Sequence, residues 1–165
     1  MTDHVDTVLR QWAAQRPDLD VSAMGIVGRI SRLSRVMSAE LRRTFEAHGL
    51  DPASFDVLAT LRRSGPVDGL TPAALTRSSM VTSGAISQRL DRLQARGLVH
   101  RSPSDSDGRG VVVTLTDAGR ELIDRALPDH VQTEERLLAA LSPAQRADLA
   151  KRLRELLESL ERPGA

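Results

Sequence analysis

A chain of 165 residues is about one domain in length and can bury a core without cross-links. It has no cysteine, which excludes a disulfide framework, thiolate metal sites and thiol redox sensing, and its aromatics (Trp12, Phe45 and Phe55, 2%) are too few for a β-sandwich or barrel. The net charge of +1 is uneven: residues 62–109 carry eight arginines against four aspartates, +4, and the remainder carries 15 bases against 18 acids, −3.

The opening MTDHVDTVLRQW holds acids where a secretory signal is basic and then apolar. The longest wholly apolar run, LLAAL at 137–141, is too short to span a bilayer, so a soluble, cytoplasmic, mostly helical protein is expected. A first helix is predicted from about Thr2 to Gln15, stopping near Arg16-Pro17. A longer one runs from Ser22 to His48, with Ile26, Ile30, Leu33, Met37, Leu41 and Phe45 at helical spacing and Gly49 as its stop. Asp51-Pro52, Thr71-Pro72 and Ser142-Pro143 each pair a capping side chain with a proline whose missing N–H costs nothing in the first turn. They predict helices over 52–64, 72–78 and 143–161, with the loop SGPVDG between the first two. Residues 79–97 read as a turn and then a helix closed by Gly97. LVHRS and VVVTLT around PSDSDGRG then read as a β-hairpin. Helix returns from Asp117 to about Ala140, with Pro128 expected to kink or break it.

A short helix, a turn, a second helix and a hairpin make a winged helix-turn-helix order. The organisation expected is N-terminal helices over 1–50, a winged helix-turn-helix over 51–116 and C-terminal helices over 117–165, the two ends forming a dimerisation region. On the second helix of the motif, Leu90 and Leu93 fall near Ile86 and form the buried stripe. Gln88 lies opposite, with Ser87 and Arg92 on its flanks. Gln and Arg suit paired contacts to adenine and guanine, and Thr82 and Ser83 at the helix start suit phosphate. Arg109, at the hairpin tip, suits a narrow minor groove, unless it is only a solubilising turn residue. Asp105 and Asp107 beside it repel phosphate unless one of them orients Arg109. Arg89 borders the buried side, which calls for a partner or a snorkelling stem.

TSGAISQRLDRLQARGLV, the wing DSDGRG and the exit VTLTDAGREL resemble the MarR family of dimeric winged-helix transcription regulators. A narrower resemblance is to its urate-responsive branch, the HucR, PecS and MftR type, with the TamR regulators beside it. That resemblance implies a ligand pocket made by Trp12, Asp56 (in FDVLATLRRSG), Arg89 (in SQRLDRL) and Arg101 (in GLVHR). It further implies that Arg89 pairs with Asp56 in the DNA-competent state. An anion held by Arg101 beside Trp12 would disturb that pair. Phe55 before the Asp, and ISQRL before the Arg, depart from the branch pattern.

The expected function is a repressor released from a palindromic operator by urate or another purine. A tricarboxylate such as aconitate or citrate is the alternative ligand, and a protein-binding winged helix is the alternative function. An enzyme is not expected: His4, His48, His100 and His130 lack ligand-like spacing and read as surface or satisfied residues. No cofactor or metal is implied. The leucines at 149, 153, 156, 157 and 160 form one stripe, expected to be a homodimer seam.

Overall fold

The computed structural model describes residues 2–64, 69–79, 86–103 and 110–161. Helix α1 spans His4–Gln15, α2 Ser22–Ala47, α3 Pro52–Arg63, α4 Pro72–Ser78 and α5 Ile86–Ala95. Strands β1 (Val99–Pro103) and β2 (Val111–Leu115) follow, then α6 (Asp117–Leu137) and α7 (Pro143–Glu161). The order is the expected one, a mostly helical chain with a two-stranded wing.

Caps explain the boundaries. Asp3 and Asp6 form a reciprocal capping box, so α1 begins at His4 and not at Thr2. Thr71 caps α4 through the Ala74 N–H, and Thr116 caps α6 through the Gly119 N–H. Asp51 caps α3: its Oδ1 accepts the N–H groups of Ala53 (3.0 Å) and Ser54 (2.8 Å), and its Oδ2 accepts the Ser54 hydroxyl. Burial pushes the Asp51 carboxyl up, but the Ser54 N–H and hydroxyl, the charge of Arg89 and the Ala53 N–H together outweigh it and hold the pKa below the ordinary value. Asp51→Ala should cost about 1 kcal/mol at neutral pH in a urea titration. A depressed carboxylate stabilises fully above the unfolded pKa and loses that contribution as the pH falls through its lowered folded value. The gap between wild type and Asp51→Ala should therefore close below about pH 4.

The core lies where α3, α4, α5, the wing and α6 meet. Val57, Leu58, Leu75, Leu90, Leu93, Val113 and Ile123 are buried there, with Phe45 of α2 joining from the scaffold side. The strands pair antiparallel, Val99 opposite Leu115 and Arg101 opposite Val113. One element escaped the sequence reading. Leu70, at the end of the SGPVDG loop, exchanges two backbone hydrogen bonds with Val113 (3.0 and 2.9 Å) and so adds a one-residue third rung to the wing. Gly69 permits this: its φ is +61°, and a Cβ there would stand 2.6 Å from the Val113 carbonyl oxygen.

Helix α6 passes through Pro128 without breaking and ends at Leu137, short of the expected Ala140. Contacts on either side of the proline hold it: Arg62 of α3 to Asp124 at 2.7 Å before it, and after it His48 Nε2 to Asp129 at 2.8 Å and the Thr44 and Thr133 hydroxyls at 2.9 Å. Pro128 itself faces solvent. Helix α1 lies along α2, where Val5 and Leu9 close on Gly28 and Gly25, and Arg29 pairs with both Asp3 and Asp6.

Candidate nucleic-acid interface and ligand cleft

On α5 the apolar period decides which side is offered outward. Leu90 and Leu93 are fully buried, whereas Ser87, Gln88, Asp91 and Arg92 are exposed on the opposite side. Three residues expected to meet DNA, Thr82, Ser83 and Arg109, lie outside the described residues. Of the six, Ser87, Gln88 and Arg92 can be placed, all on the outward side of α5.

Arg101, expected in a ligand pocket, reaches from β1 across to α5. Its Nη1 donates to Asp91 Oδ1 at 2.6 Å and its Nη2 to the Ser87 carbonyl at 3.1 Å. It thereby fixes the wing to the reading helix. Ser87 and Asp91 are one helical turn apart, so both can meet a single guanidinium. That pairing of Asp91 with Arg101 was not part of the sequence reading.

Arg89 is half-buried on the inner flank of α5, as its wheel position implies, and its charge acts on Asp51 at the start of α3. Asp56 is half-buried one turn further along α3 and lines a cleft of about 410 Å³ between α3 and α6. The apolar wall of that cleft is Phe55, Ala59 and Leu127, and its polar lining is Asp56, Arg62, Arg63, Asp124 and His130. Arg62 Nε donates to Asp124 Oδ1 at 2.7 Å across it. Of the four residues expected in the ligand pocket only Asp56 lines this cleft; Trp12, 41% exposed on α1, Arg89 and Arg101 are not among its described lining residues.

His130, read as a surface or satisfied residue, is half-buried. Its ring packs tilted against the stacked Phe45–Phe55 pair, 4.8 Å from the Phe55 centroid and 5.5 Å from that of Phe45. Its Nε2 is 3.3 Å from Glu134, and its buried Nδ1 has no hydrogen-bond partner among the described residues. His48, just past the end of α2, bridges that helix to α6 through Asp129.

A large apolar surface remains open. Met24, Ile26, Val27, Ile30, Leu33 and Val36 on α2 are exposed, and so are Leu149, Leu153, Leu156, Leu157 and Leu160 on α7, a helix with no buried residue.

Two helices packed on each other, the second presenting a polar face beside a two-stranded wing, define a winged helix-turn-helix DNA-binding protein. The chain belongs to the MarR family of transcriptional regulators: that family's model matches residues 48–110. The HTH-type transcriptional regulator PecS of Dickeya dadantii is 36% identical over 88% of this chain and 87% of its own length. Among solved structures, a mutant MarR from E. coli complexed with operator DNA has a TM-score of 0.71 at 26% identity, covering 88% of this chain and 97% of that one. BpsR of Bordetella bronchiseptica, solved to explain regulation of its DNA binding by 6-hydroxynicotinic acid, also has a TM-score of 0.71, at 27% identity, covering 79% of this chain and 91% of that one. Each of these relatives is a regulator and none is an enzyme, in keeping with the sequence reading. Among the described residues, no helix is long and apolar enough to cross a membrane.

Proposed function

We propose that the protein is a homodimeric repressor that binds a palindromic operator and releases it when a small anion, urate or another purine, occupies a pocket bounded by Trp12, Asp56, Arg89 and Arg101. The observation that carries this reading is the division of labour on α5. Gln88 and Arg92 face out, where they can meet base edges, while Arg89 on the same helix is turned inward toward the start of α3. A change at the inner residue therefore tilts the outer ones. Small tilts suffice, because two half-sites must match a helical repeat of about 34–36 Å. The exposed leucines of α7 and the apolar face of α2 supply a dimer seam. The similarity to PecS, and the response of BpsR to a heterocyclic acid, support a ligand-responsive regulator.

The cleft's charges favour the purine over a tricarboxylate. Two carboxylates, Asp56 and Asp124, face two guanidinia there. That balance suits a monoanion with N–H donors and works against a trianion.

Operator binding measured by fluorescence anisotropy over a salt series, with and without urate, tests this. Arg92→Ala should weaken operator binding and lower the salt slope by about one counterion if it meets phosphate, or relax base preference if it meets a base edge. Asp56→Asn should still bind the operator while losing at least about tenfold of the response, a coupling of roughly 1.4 kcal/mol. Arg101→Ala should lose the response as well but also bind the operator more weakly, because it unties the wing from α5. A flat salt dependence would favour the protein-binding module. Normal urate release in both variants would remove them from the pocket.

A further inference from the structure

The two arginines that end α3 are adjacent in sequence and tied to opposite parts of the molecule. Arg62 is paired with Asp124 of α6 at 2.7 Å, on the scaffold side. Arg63 donates through Nη2 to the main-chain carbonyl of Ser78, the last residue of α4, on the DNA-reading side. Both line the cleft that holds Asp56. Arg62 is already neutralised by a carboxylate. The described partner of Arg63 is a neutral carbonyl.

That carbonyl is one of the acceptors that a helix leaves unsatisfied at its C-terminal end. The Leu75 carbonyl takes the Ser79 N–H at 2.8 Å, and the Ser78 carbonyl is capped from outside by Arg63, where a cation also suits the negative end of the helix. An anion in the cleft offers the same guanidinium two charged acceptors in place of one neutral one. A fork-to-fork pair of that kind is the stronger partner.

We propose that Arg63 is a second residue, beside Arg89, through which an anion in the α3–α6 cleft acts on the helix-turn-helix. In the DNA-competent state it tethers the end of α4. A bound anion takes over its guanidinium and frees the Ser78 carbonyl, so that the C-terminal end of α4 loses its tether to α3. Arg63 is thus a positioning residue for the reading helix. The proposal deepens the ligand-responsive reading and rests on it.

The test measures operator affinity by anisotropy for wild type, Arg63→Ala and Arg63→Lys, with and without saturating urate and over a salt series. Amide hydrogen exchange of residues 72–79 is followed in the ligand-free proteins. Arg63→Ala should bind the operator about tenfold more weakly without urate, and its ratio of affinities with and without urate should fall close to one. Arg63→Lys keeps the charge and one donor but not the fork, so it should restore operator affinity to within about threefold while regaining only part of the urate response. A merely structural cap would lower affinity in both states and leave the ratio intact, which would overturn the proposal. A salt slope reduced by about one would overturn it too, by making Arg63 a phosphate contact. If wild type itself ignores urate, the ligand reading fails for that anion and the exchange measurement decides the tether alone. Exchange of 72–79 should quicken by at least about fivefold in Arg63→Ala, and unchanged protection would end the proposal.

Discussion

Replacing Leu153 and Leu157 together by aspartate should convert the proposed dimer to a monomer in light scattering and weaken operator binding by about 10² to 10⁴-fold. The leucines of α7 range from 39% exposed at Leu149 to 72% at Leu160, on a helix that buries nothing against its own chain. Each such side chain still has roughly 1 kcal/mol of burial to gain, and the apolar residues of α2 add to that total. A charge at the centre of the resulting seam has to be desolvated without a partner, which costs more than the lost leucine contact. The loss of operator affinity follows from losing the second reading head, since a single protomer engages one half-site without the gain of linked binding. Helical content should stay unchanged, because neither leucine is buried in the core. A double variant that remains dimeric would place the seam elsewhere.

Gly119→Ala should lower the melting temperature by roughly 6–12 °C, equivalent to about 3 kcal/mol. Gly119 sits in the first turn of α6, where that helix leaves the wing, and an added Cβ would stand 1.9 Å from the Leu98 carbonyl oxygen and 2.9 Å from its carbon. Neither side can easily give way. The Leu98 N–H is bonded to the Leu93 carbonyl at 2.9 Å, and the Leu98 carbonyl accepts the Thr116 N–H at 3.2 Å. The glycine N–H is itself held by the Thr116 hydroxyl at 3.0 Å. Thermal unfolding followed by circular dichroism measures the effect. A shift under about 2 °C would mean the junction relaxes freely and the packing argument is wrong.

The fold was largely legible because its signals are local. Proline behind a capping side chain marks three helix starts, and the apolar period of α5 separates Leu90 and Leu93 from Gln88 and Arg92 without any knowledge of neighbours. What stayed hidden depends on partners far away in sequence. Leu70 pairs with Val113 as a single rung, and one residue has no period to read. Pro128 was expected to kink or break its helix, but Arg62 holds α6 at Asp124 before it, and His48 and Thr44 hold it at Asp129 and Thr133 after it. His130 reads as no more than a surface or satisfied residue because nothing in the sequence shows that Phe45 and Phe55 would stack beside it. Of the ligand residues, the inward turn of Arg89 was visible on the helical wheel. The grip of Arg101 on Asp91 and Ser87 required the wing to be folded back on α5 first.

The rung at Leu70 ties the stem of the wing to the segment that leads into α4, and the five paired positions from Val99–Leu115 to Pro103–Val111 hold that stem in register. Val113 thus answers to two neighbours at once, Arg101 on one edge and Leu70 on the other. A shift of the wing is passed to the entry of α4 through the backbone itself, with no side chain as go-between.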